Sequence, residues 1–382
     1  MSSNERVQTN REAPLQSPPG IHRLGCGWLF GALAFLLAGC APTYPNIQAC
    51  EDSGDIHTIC GLQNPEDLAL VPGGKQVVIS QFGSMDGSRP GNLAFFDVEN
   101  EAVQIAFEGG AEDFVEDPGT RWGDPNCPGA PSDRFSPHGL DLASVPGFGD
   151  RLLVVNHGGR EAVEFFELIR KPNGFGLVWR GCAVAPEEAF LNDVVNLSDG
   201  GFLVTQMMPR ENAPWNLMKA AFGFDTGWVY EWERAQGFSI AQGTEAPFPN
   251  GIELSEDEGS IFLNVYSPGE VRKINRSTGQ VMATVSVPAP DNVTWGKDGR
   301  LLVASHHGGL MDQLACMDLE SGACGMGFSV VSIDPETLET AELFTQAGAP
   351  MGAGTVVLDL GGGEYLIGSF AADRMLRIRL SR

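Results

Sequence analysis

Eight side chains that carry oxygen or imidazole recur at one position of a repeated pattern: Glu66 and Asp67, His138, Asn192 and Asp193, Asn250, and Asp291 and Asn292. Hard cations such as Ca²⁺ take about six to eight oxygens from carboxylates, amides and backbone carbonyls. Glu66, Asn192, Asn250, Asp291 and Asn292 would supply such a set with two negative charges, enough to match one divalent ion. Asn and Asp also satisfy turns and strand starts. Five of them in register, however, ask for a shared purpose. The histidines point the same way. Beyond His22 and His57 near the N-terminus, His138 opens the second copy of the pattern and His157 closes its second strand, while His306 and His307 close the fifth. Imidazoles confined to two copies suit acid or base chemistry near the ion.

The elements that must position these groups are β-hairpins. The copies read EDLALVPGGKQVVISQ from Glu66, HGLDLASVPGFGDRLLVVNH from His138, NDVVNLSDGGFLVTQ from Asn192, NGIELSEDEGSIFLNVY from Asn250, DNVTWGKDGRLLVASH from Asp291 and GTVVLDLGGGEYLIGS from Gly354. Each is a polar opening, an apolar strand, a Gly-containing turn and a second strand rich in β-formers. Six copies leave room for about four strands each, the size of a propeller blade. The expected fold is therefore all-β, a six-bladed β-propeller. A sandwich gives no reason for six similar hairpins. In a propeller the innermost strands start at the central channel, so equivalent positions converge there.

The ends of the chain are read separately. Residues 1–39 are expected to be a lipoprotein signal peptide: a polar lead, then an uncharged apolar run from Leu24 to Gly39, ending in Leu37-Ala38-Gly39-Cys40. The run is shorter than the roughly 20 residues a spanning helix needs. Its end resembles a bacterial lipobox, with Cys40 as the lipidated residue and a membrane tie through that lipid. Residues 40–59 are expected to form a tether, and 60–382 the propeller, its ring closed by the segment after Cys60 pairing beside strands from the C-terminal end. Such a protein would be exported to the bacterial cell envelope; Ala41, rather than Asp, after the cysteine favours the outer membrane. A formal charge of −25 argues against nucleic acid as a partner. Six cysteines follow Cys40, and an oxidising compartment favours disulfides over zinc. Among the pairings they allow, short separation favours Cys50 with Cys60 and Cys316 with Cys324, which leaves Cys127 with Cys182.

The segments PEDL (65–68), SPHGL (136–140), LLVVNH (152–157), LNDVV (191–195), PNGIELS (249–255) and PDNVTW (290–295) resemble paraoxonase/arylesterase motifs, in that family's order and at similar spacings. The resemblance runs from Cys60 to Arg382. It implies a calcium-dependent hydrolase of lactones and aryl esters with two ions. Glu66, Asn192, Asn250, Asp291 and Asn292 would hold the catalytic calcium, and Asp67, Asp193 and the carbonyl of Leu140 a structural one. His138 and His157 would form the histidine dyad, and His306 a further catalytic residue. The substrate side departs from the family. Its Lys-Tyr pair after the first blade is replaced by the region around Ser84, its pocket tryptophan in the fifth blade by Leu302, and its polar segment in the third by Gln206, Met207 and Met208. No cysteine follows Cys324 to make its N- to C-terminal disulfide. A gluconolactonase-type sugar lactonase and a non-catalytic, calcium-stabilised binding propeller are the alternatives. No GxSxG, HExxH or Walker motif supports a serine-hydrolase, zincin or nucleotide mechanism.

Overall fold

The computed structural model describes residues 42–110, 122–172, 174–317 and 319–380. The leader, Cys40 and the lipid attachment expected there lie outside these residues.

Six four-stranded antiparallel sheets form the blades of a β-propeller. Their innermost strands are Pro65–Leu70, Pro137–Val145, Leu191–Asn196, Pro249–Leu254, Pro290–Trp295 and Gly354–Gly361, each beginning within a residue or two of the repeat position identified above. Four of the six open with proline. The ring fixes φ, and no ladder donor is needed at a strand's first residue. Blades stack through apolar clusters, one at each junction. Phe95 of the first blade meets Phe166 of the second, Phe165 of the second meets Phe202 and Trp232 of the third, and Phe96 of the first meets Leu366 and Met375 of the last.

The ring closes with an N-terminal strand. His57–Cys60 pairs antiparallel with Arg374–Arg379 and supplies the outer strand of the sixth blade. The sequence places this closing segment after Cys60; it ends there instead. The stretch read as a tether is fastened in three ways. Asn46–Ile47 pairs with Ala323–Cys324, Cys50 is bonded to Cys60, and the buried Arg374 guanidinium donates to the carbonyls of Ile47 and Pro350 at 3.1 and 3.3 Å. The other disulfides are Cys127–Cys182 and Cys316–Cys324, so all three pairings match the sequence reading.

Two helices occur among the described residues, α1 (Ala213–Ala221) and α2 (Leu310–Cys316). Both sit in connections from the second to the third strand of a blade, the third and the fifth respectively.

Candidate active site and metal centre

The innermost strands do not run regularly into their neighbours. All six shift register at their start, between Pro65 and Asp67, Pro137 and Leu140, Leu191 and Val194, Pro249 and Ile252, Pro290 and Val293, and Gly354 and Val356. Such irregularities re-aim side chains and interrupt pairing. Here they free the repeat positions from the ladder and turn them toward the channel. The glycines of the HG and NG pairs follow from the same crowding. A Cβ at Gly139 would lie 2.5 Å from the Asn192 carbonyl oxygen, and one at Gly251 would lie 2.5 Å from that of Asp291.

The structure brings Glu66, Asn192, Asn250, Asp291 and Asn292 together, each at most 4% exposed. Asn292 Nδ2 donates to Glu66 Oε1 at 3.0 Å, and Thr355 of the sixth blade donates to the Glu66 carbonyl at 2.7 Å. Four buried side-chain oxygens from four blades are left without a hydrogen-bond partner: Glu66 Oε2, Asn192 Oδ1, Asn250 Oδ1 and Asn292 Oδ1. Buried polar atoms are nearly always paired, and an orphan costs about 1–3 kcal/mol. Neutral amides with two carboxylates are also the hard-oxygen donors that calcium prefers. The residues therefore fit a calcium ion. Among the described residues, no group of three or more His, Cys, Asp or Glu could hold a metal. This set draws mostly on amide oxygens instead.

Burial pushes the Glu66 carboxyl well above its usual range, with Asp67 and Asp291 adding to the shift. Asp291 is raised to about 8, chiefly by burial, with the Asn250 side chain opposing. Below the ring lies a second tier. Asp67 accepts from the Leu68 and Leu140 amides at 2.8 and 2.7 Å, and Asp193 from the Val194 and Ile252 amides at 2.8 and 2.9 Å. These carboxylates staple the first blade to the second and the third to the fourth. Leu140 thus meets Asp67 through its amide. Sequence reasoning missed Asp141 and Glu253, which join Asp67 and Asp193 around a cavity of about 150 Å³. Burial raises all four, Asp67 to about 7. Each missed acid stands three residues after a ring position, in HGLD and NGIE.

His138 Nδ1 lies 3.1 Å from His157 Nε2, and His138 Nε2 is 3.6 Å from Glu66 Oε1. The dyad thus forms at the edge of the ring. Burial, and then its neighbour His157, hold the His138 imidazole well below the usual histidine value. Across the ring, His306 Nε2 is 3.5 Å from Asp291 Oδ2 and its Nδ1 is 3.0 Å from the Tyr266 hydroxyl. Burial lowers His306 to about 4. His307 does not join the site; its Nε2 bonds the Ser329 hydroxyl at 2.8 Å on an outer face of the fifth blade. Phe82 packs against His138 and Phe370 against His306, with ring centroids 5.1 and 5.9 Å apart. Both also line a cavity of about 290 Å³ with Met85, Met317, Asp86 and Arg89.

Groups able to hold a cation and to move a proton therefore meet beside an open cavity, the arrangement of a propeller hydrolase. A family model described as Arylesterase matches residues 55–376. The chain belongs to the arylesterase family and is a hydrolase acting on esters or lactones. A search of curated proteins gives no match. Similar solved structures include a gluconolactonase from Xanthomonas campestris, 15% identical over 89% of this chain and 99% of that one, with a TM-score of 0.48. A luciferin-regenerating enzyme is 12% identical over 86% and 95%, at 0.49. A protein of unknown function from Bacteroides thetaiotaomicron is 9% identical over 89% and 75%, at 0.50. At these identities the likeness concerns the fold.

Proposed function

We propose that this hydrolase is calcium-dependent, that Glu66, Asn192, Asn250, Asp291 and Asn292 hold the catalytic ion, and that His138 is the general base. The four unpartnered oxygens beside the histidine dyad carry this reading. A calcium ion held there would supply Lewis-acid polarisation of an ester or lactone carbonyl. His138, unprotonated at neutral pH, takes a proton from water at Nε2, and the water oxygen adds to the carbonyl carbon. The acyl C–O bond then breaks, and the proton passes from His138 to the departing oxygen. A second ion is assigned to the lower tier, at Asp67, Asp193 and the Leu140 carbonyl. Phe82, Met85, Met317 and Phe370 give the cavity an apolar side that suits an aryl or alkyl group, beside the polar Ser84, Asp86, Ser88 and Arg89.

Hydrolysis of phenyl acetate and of a panel of lactones, with EDTA and after calcium is restored, tests the reading. Turnover should fall at least about 100-fold in EDTA, in line with the loss of a preorganised charge-stabilising group, and return with calcium. Turnover indifferent to EDTA would remove calcium from the mechanism. No turnover of any ester or lactone in calcium would favour a binding propeller.

We also assign the protein to the bacterial cell envelope, held by lipid on Cys40. Three disulfides support an oxidising compartment. Cys40→Ser should abolish incorporation of labelled palmitate and leave unprocessed precursor. Label retained in that variant would sink the lipid anchor.

A further inference from the structure

The His138–His157 pair continues into a carboxylate that no ring or histidine pattern announces. Glu161 stands in the tight connection between the second and third strands of the second blade, four residues after His157. Both its oxygens lie 3.0 Å from His157 Nδ1. Its Oε1 also accepts from the Leu191 amide at 2.7 Å, beside the ring residue Asn192. Its Oε2 accepts from the Arg210 guanidinium. That guanidinium in turn donates to the Met85 carbonyl at 3.1 Å and lies 4.2 Å over the Phe190 ring. Phe190 meets the His157 ring edge-on at 5.6 Å. The carboxylate is thus held on three sides, and the imidazole it touches is packed from the flank.

We propose that Glu161, clamped by Arg210 and the Leu191 amide, is a positioning residue that sets the tautomers of both histidines; the inference rests on the reading of His138 as base. An ionised carboxylate only accepts, so His157 must carry its proton on Nδ1. Its Nε2 is then a lone pair, and it can only accept from His138 Nδ1–H across 3.1 Å. His138 must therefore present a bare Nε2 toward the ring, which is the atom a base needs. The reverse order, with both protons on Nε2, would set the His157 Nδ1 lone pair against the carboxylate. One charge two groups away thus selects the reactive form of the base without touching substrate. A structural salt bridge alone would predict no such coupling, because Arg210 could hold the loops through any acceptor.

Three variants and two readouts test this. In protein carrying ¹⁵N-histidine, His138 and His157 should both show protonated Nδ1 and bare Nε2. Glu161→Gln keeps the shape but can donate as well as accept, so the two rings should become mixed in tautomer. Its kcat should fall about 10- to 100-fold with KM little changed, the usual cost of losing a partner that orients a reacting group. Glu161→Asp should recover much of the loss, and Arg210→Gln should give a smaller loss of the same kind. Melting temperature and calcium content, measured alongside, show that the variants fold. Glu161→Gln with wild-type tautomers and wild-type kcat overturns the proposal. Shifted tautomers with kcat intact would uphold the positioning role and instead overturn His138 as base.

Discussion

Stripped of divalent cations, the protein should lose stability as pH rises from about 6.5 to 8, while the calcium-loaded protein should not. Glu66 and Asp193 are held well above the ordinary carboxylate range, and Asp291 and Asp67 are raised to about 8 and about 7. A raised carboxyl binds a proton in the fold that the unfolded chain has already released. Its stabilisation is full below the ordinary value near 4 and is lost as pH climbs through the folded value. The buried histidines His138 and His306 are lowered and act oppositely, but only below about 6.5, where the unfolded chain protonates them. Above that pH the carboxyls are left to dominate. Each one still protonated in the fold contributes a loss of about 2 kcal/mol across the window. For several acting together, the expected fall in melting temperature is on the order of 5–10 °C.

Calcium reverses the sign, because its binding displaces those protons and tightens as pH rises. His57, exposed on the outside of the ring and raised by Glu101 and Asp52, titrates alike in both forms and cancels from their difference. Asp291→Asn makes the test specific. It should melt above the stripped wild type at pH 8, lacking the charge that is costly there, and gain less from calcium. Melting curves in EDTA and in calcium at two pH values read all of this. A stripped protein that becomes more stable from pH 6.5 to 8 would show that the ring carboxylates find partners without an ion.

The ring is legible in the sequence because a propeller brings one repeat position from every blade to one place. Glu66, Asn192, Asn250 and Asn292 could therefore be grouped without knowing any distance between them. His306 converges for the same reason, as the last residue of a second strand. What escapes the pattern depends on local irregularity or on loops. Asp141 and Glu253 look like ordinary strand residues under a period of two. The register shift at each strand start carries the third residue back into the channel. Glu161 and Arg210 lie 49 residues apart in connections of different blades, so their pairing depends on the path of two loops and on no repeat. Ring closure was foreseen in kind, but the strand lies at His57–Cys60. Alternating residues there read as a tether, and only pairing with Arg374–Arg379 makes them a strand. The departures near Ser84 and Met207 fall where the structure places the cavity and the apolar packing around Phe190 and Tyr266. The site's polar centre could be read more fully than its substrate side.

His138→Gln should lower kcat by about 100- to 10,000-fold, the range for losing a positioned general base, with calcium content and melting temperature close to wild type. The imidazole accounts for little of the ring's cohesion. Its Nδ1 meets His157, and its Nε2 stands 3.6 Å from Glu66, longer than a hydrogen bond. A glutamine amide can still donate to His157 Nε2 and fill much of the space beside Phe82. It cannot accept and release a proton near neutral pH. The comparison that gives the result meaning is His306→Gln. His306 stands 3.5 Å from Asp291 on the rim opposite His138 and is already engaged by the Tyr266 hydroxyl. Its loss should disturb that carboxylate and the adjoining Phe370 wall, raising KM more than it lowers kcat. The two histidines occupy opposite rims of one ring, so the pair of variants asks from which side water is activated. If His306→Gln proves the inactive one and His138→Gln retains turnover within a few-fold, the base lies on the Asp291 side. The His138–His157–Glu161 chain would then be a scaffold for the second blade rather than a path for the proton.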